Sequence, residues 1–193
     1  MNREQWLLEA VELMRPWFEE VKKPLPETVR VSMGYSKGHR KNTLAVCYNS
    51  HSSEDKVHQV FLSPELPPDD PSRVLDVLLH ELVHAADDGV SGHTGEFKRV
   101  AQELGLEGKM TATVASESLK QKLAPIVDKL GEFPHAKLDP SKRIKPQKTY
   151  MLKIICTDPG CDYLLRTTKK HAEKGIPTCF CGSDMELEIT DEG

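Results

Sequence analysis

His80, Glu81 and His84 form the segment His-Glu-Leu-Val-His at the end of an apolar run, residues 74–79, and His93 follows nine positions after His84. The run reads as helix. On a helix, positions i and i+4 share a face about one turn apart, ~5–6 Å. Two imidazoles so placed suit one zinc ion at roughly 2.0–2.1 Å per nitrogen. Glu81 sits directly after the first ligand, where a carboxylate can take a proton from an activated water. Gly89 and Gly92 let the chain turn back, so that His93 can supply a third ligand. Glu96, Asp87 and Asp88 are alternatives. The two aspartates lie at the helix end and point away from the His80–His84 face, which favours His93. Three protein ligands leave one position for water, the mark of a catalytic rather than a structural zinc. The plainer reading, a core helix with two surface histidines, would bury unpaired imidazoles in an apolar helix at a cost.

A second constellation is Cys156, Cys161, Cys179 and Cys181, set between strand-like flanks at residues 151–155 and 185–189. Two turn-borne cysteine pairs around a short insert describe a zinc ribbon, and so small a segment has too little apolar material to fold without metal. The pairs are uneven, with four residues between the cysteines of one and a single residue between those of the other, and His171 is a substitute ligand if the short pair cannot close. The expected cofactors are two Zn2+, one catalytic and one structural. Cys47 stands alone in a strand-like segment and reads as a small packing residue. From Lys142 to Ser183 there are nine basic residues against three acidic, a balance of +6, with Tyr150, Tyr163 and Phe180 interleaved. Lys148, Lys153, Arg166, Lys169 and Lys170 are therefore candidate phosphate contacts, and the aromatics candidate stacking platforms for bases. A solubilising surface is the alternative.

The rest of the chain must hold these groups. It has 193 residues and a net charge of −4, so any nucleic-acid contact comes from a local patch. With neither a signal peptide nor a membrane span in view, the expected location is the cytoplasm, where cysteines serve metals more than disulfides. Residues 2–22 read as an amphipathic helix opened by Asn2 and Gln5 and bent or interrupted at Pro16. Three alternating segments follow, at residues 29–33, 44–48 and 57–62, in the pattern of an antiparallel meander. His39, His51 and His58, in or beside its turns, read as solvated. Asp70 caps the metal-bearing helix, with Pro71 in its first turn and Gly89 beyond its end. A helix opened by Thr94, a turn-like segment around Met110 and a helix over residues 116–130 complete the first part. The division expected is a catalytic domain over 1–131, a Pro/Lys-rich linker over 132–148 and a ribbon over 149–193.

His80-Glu81-Leu82-Val83-His84-Ala85 and Ser91-Gly92-His93-Thr94-Gly95-Glu96-Phe97 resemble the SprT-like metalloprotease family, which includes the Spartan DNA–protein crosslink proteases. The second block has Thr94-Gly95 where the family carries Gly-Pro. The likeness extends through Phe61-Leu62-Ser63-Pro64 and to a terminal ribbon, and in its compact size the chain is closer to prokaryotic or phage members. The resemblance implies an α+β fold with a zincin-like core, helices on a small three-stranded antiparallel sheet, followed by a zinc ribbon. It implies His80, His84 and His93 as zinc ligands, Glu81 as catalytic acid/base, and DNA-bound or DNA-crosslinked proteins as substrates. Rival expectations are a DNA-binding or transcription-associated zinc protein and a general peptidase without DNA dependence. The oxyanion-stabilising group stays open among Tyr35, His39 and Tyr48.

Overall fold

Asn2 and Gln5 close a capping box, each side chain bonding the other's backbone N–H at 2.8 and 2.9 Å, and so start α1 (Arg3–Glu20) in the computed structural model, which describes residues 1–35, 43–144 and 151–188. Of the two effects expected of Pro16, a bend or a break, the break is absent: α1 runs through it. Pro16 is exposed, so the carbonyl it deprives of a partner can turn to water. Trp6, Leu7, Ala10, Val11, Met14 and Phe18 form the buried stripe.

The strands β1 (Val29–Met33), β2 (Ala45–Tyr48) and β3 (His58–Leu62) form one sheet, but it is not a meander. Its order is β1-β3-β2, with β1 parallel and β2 antiparallel to β3. Alternation along a strand fixes which side chains face the core, and it is silent on which strand lies beside which. β3 takes the centre, with Val60 and Leu62 buried, and β2 is left at an edge.

Asp70 Oδ1 accepts the Arg73 N–H at 2.9 Å and Pro71 occupies the first turn, so α2 (Pro71–Ala86) begins where the sequence places it. Ten of its sixteen residues are buried, because α2 packs against β2, β3 and α1 and also against three elements that follow it. These are α3 (Gly95–Glu103), α4 (Glu117–Leu130) and the hairpin of β4 (Leu106–Lys109) and β5 (Ala112–Ala115). The hairpin replaces the turn expected around Met110. Beyond α4, Phe133 packs edge-on against Trp6 at 5.0 Å, and Pro64 O accepts hydrogen bonds from His135 Nε2 and the Leu138 N–H. Residues 133–138, expected to be linker, thus belong to the first unit. The chain divides at Met1–Ser141 and Lys142–Gly193. No helix among the described residues is long and apolar enough to cross a membrane.

The second unit is an antiparallel sheet, order β7-β6-β8, of β6 (Leu152–Cys156), β7 (Leu164–Thr167) and β8 (Met185–Leu187), with the short helix α5 (Lys169–Ala172). Among the described residues its buried core is Ile154, Cys156, Cys179 and Met185. The whole chain is α+β.

Candidate metal centres

α2 presents His80 and His84 one turn apart, and the loop after it carries His93 back to them. One ring nitrogen from each lies within 4.8 Å of the others. His84 Nε2 and His93 Nε2 are 3.2 Å apart. Two nitrogens at ~2.0–2.1 Å on a tetrahedral ion are separated by about 3.3 Å, so the donor set fits zinc in chemistry and in spacing. Burial holds the His80 and His84 imidazoles down at about 3 and about 4, and lowers His93 as well, so all three are neutral donors at pH 7. Phe97, fully buried on α3, contacts all three rings with centroids 4.2 to 5.1 Å away.

One ring, and the loop that carries another, are held by hydrogen bonds from behind. His80 Nδ1 meets Thr113 Oγ1 at 2.8 Å; donating its proton there leaves Nε2 free to ligate. Thr113 sits on β5, which α2 grips in turn: Arg73 Nη1 bonds Thr113 O at 3.2 Å, and Asp76 Oδ2 accepts the Ala115 N–H at 3.1 Å. The loop bearing His93 is tied by two consecutive carboxylates. Asp87 accepts the Ser91 N–H at 2.7 Å, within the loop. Asp88, in the left-handed region at φ 49°, accepts the Ser50 N–H at 2.9 Å and pairs with His58 Nε2 at 2.9 Å on the sheet side. The alternative third ligands are thus engaged elsewhere, Glu96 with Arg99 at 2.9 Å. His58 is buried rather than solvated, because Asp88 reaches it across thirty residues of sequence. His51 is exposed, and His39 lies outside the described residues.

Glu81 is buried beside the triad, 6% exposed. Burial pushes its carboxyl up to about 8, against the opposing hydrogen bond from the Cys47 backbone on β2. The histidines and Glu81 floor a cleft of about 520 Å³, walled on one side by residues 43–49 around edge strand β2 and on the other by Thr111, Ala112 and Thr113. Tyr48 lines this cleft; Tyr35 does not and bonds Glu65 at 3.0 Å. Cys47 also lines it, with its thiol pushed up to about 12 by burial, a poor nucleophile.

In the second unit the four cysteine sulfurs likewise lie within 4.8 Å of one another, Cys156 to Cys181 at 3.5 Å and Cys161 to Cys179 at 3.7 Å. Sulfurs at ~2.3 Å on a tetrahedral zinc are about 3.8 Å apart. The unequal pairs both close. Asp158 accepts from Gly160 and Cys161 in the long one, and Ser183 O accepts the Cys179 N–H in the short one, with Gly182 at φ 90°. His171 stands outside the cluster on exposed α5.

Of the candidate phosphate contacts, Arg166, Lys169 and Lys170 are exposed, and Lys148 lies outside the described residues, as does Tyr150. Lys153 pairs with Glu188 at 2.6 Å, which removes it as a free cation. Five acidic residues after Ser183 bring residues 142–193 to nine basic against eight acidic, so the positive charge is confined to part of the unit. Phe180 is 89% exposed and meets Tyr163 edge-on at 5.1 Å. No family model, curated protein or solved structure matches the chain.

Proposed function

We propose that the chain is a zinc endopeptidase of SprT-like, zincin-like type acting on DNA-associated or DNA-crosslinked proteins. The observation that carries the reading is the convergence of three neutral imidazoles beside a buried carboxylate, on the floor of a cleft open to an edge strand. His80, His84 and His93 would hold the ion. When bound, zinc supplies a Lewis acid for a carbonyl oxygen and makes a water more acidic. Beside a bound cation the Glu81 carboxyl would be ionised, able to accept that water's proton and return it to the departing amine. Among the described residues β2 has no strand on its outer side, so an extended peptide can pair with its backbone and lie across the histidines. Cys156, Cys161, Cys179 and Cys181 would hold a structural zinc that folds the second unit, whose exposed Arg166, Lys169, Lys170 and Phe180 suit contact with phosphates and bases.

The near-balance of charge in the second unit favours one other reading, a peptidase that ignores DNA. Cleavage of a DNA-binding protein, measured with and without DNA for wild type and Glu81→Gln, separates them. The proposal expects DNA-stimulated cleavage by wild type and none by the variant. Equal cleavage by both removes the peptidase role, and wild-type cleavage indifferent to DNA leaves only the general peptidase.

A further inference from the structure

We propose that Arg73 forms a carboxylate-binding subsite in the cleft, selecting peptides with an acidic side chain or a free C-terminal carboxylate about three residues from the bond at the histidine centre. This rests on the peptidase reading of the cleft. Arg73 and His80 both line it and stand seven residues apart on α2. Seven residues are nearly two full turns, so both project from one face, about 10 Å apart along the axis. An extended peptide advances roughly 3.3 Å per residue and covers that distance in three.

The guanidinium is held from one side only. Nη1 bonds Asp76 Oδ1 and Oδ2 at 2.7 and 2.9 Å and Thr113 O at 3.2 Å. Nε and Nη2 make no hydrogen bond among the described residues, which leaves the edge that receives a carboxylate with two parallel N–H donors. The Arg73 side chain is 27% exposed, and its partner Asp76 is 6% exposed beneath it. A fork already fixed from behind loses little freedom on binding. Among the described residues lining the cleft, Arg73 is the one lysine or arginine and Glu81 the one acid. Glu81 is committed to the histidine end, so a substrate carboxylate finds its counter-charge at the Arg73 end.

The test measures binding, so that it does not depend on cleavage. Zinc-loaded full-length Glu81→Gln protein is titrated with fluorescent peptides matched in pairs. One pair carries Glu or Gln at the third residue on either side of a central bond; the other ends in a free acid or an amide. The expected result is about tenfold tighter binding of the carboxylate member, shrinking at high salt. The pair showing the gap identifies the source of the carboxylate. Arg73→Gln in the same background abolishes the gap, and Arg73→Lys, a cation without the fork, keeps only part of it. Equal binding of both members with Arg73 intact overturns the proposal, as does a gap that survives Arg73→Gln. An Arg73-dependent gap in a protein whose wild type cleaves nothing upholds the subsite while the peptidase reading fails.

Discussion

The ring of Phe97 stacks on that of His84, with centroids 4.2 Å apart and planes 29° from parallel. An aromatic plate from α3 thus backs the histidine from α2 and also touches His80 and His93. Phe97→Ala is expected to cost about 3–5 kcal/mol in denaturant unfolding, as for other buried phenylalanines. Phe97→Leu should retain most of the stability yet bind zinc more weakly, because the rings lose the flat surface that sets their tilt. Zinc affinity unchanged in Phe97→Leu, by competition with a chelator, would show that the plate only fills space.

Thr113 is a positioning residue, acting through His80. Thr113→Val preserves shape and removes the oxygen 2.8 Å from His80 Nδ1. The expected loss is roughly 10–100-fold in zinc affinity, the usual cost of deleting a partner behind a histidine ligand. Thr113→Ser should restore most of it. Chelator competition reads both, without reference to activity.

The metal-free protein should be most stable near pH 6.5. His80 and His84, lowered from 6.5 to about 3 and about 4, are neutral when folded and protonated when unfolded as the pH falls below 6.5, so stability drops on the acid side. Glu81, raised from 4.5 to about 8, keeps its proton when folded and loses it when unfolded, so stability drops as pH rises toward 8. Between 4.5 and 6.5 the terms oppose, and two histidines outweigh one glutamate. Thermal melts of Glu81→Gln without metal should keep the acid limb and lose the alkaline one. Two unaltered limbs would assign the alkaline loss to other groups.

Metal analysis of the whole chain should give about two zinc ions, and one after Cys179→Ser with Cys181→Ser. The four buried residues among those described in the second unit cannot offset the entropy of ordering it, so that unit should unfold in the double variant. Amide NMR signals from residues 152–187 should collapse to the unfolded range, with those of the first unit unmoved. Retained dispersion in that region would mean the cysteines are not its staple.

Local chemistry was legible in the chain itself. The capping box at Asn2 and Gln5, the Asp70 cap with Pro71, and the i, i+4 placement of His80 and His84 depend on contacts within a turn of helix, and such contacts are written in the spacing of residues. The cysteine pairs were legible likewise, because each closes over a few residues. What tertiary structure alone decided is which distant pieces meet. The alternating pattern of residues 58–62 is the same whether the strand lies at an edge or, as it does, between β1 and β2. Thr113 behind His80 and His58 against Asp88 are joined across 33 and 30 residues, and no periodicity encodes a partner that far away. The sequence named the groups able to bind a metal. Packing of β5, β2 and the sheet around α2 decided how those groups are aimed, because orientation comes from non-local hydrogen bonds that exist only once the chain has folded.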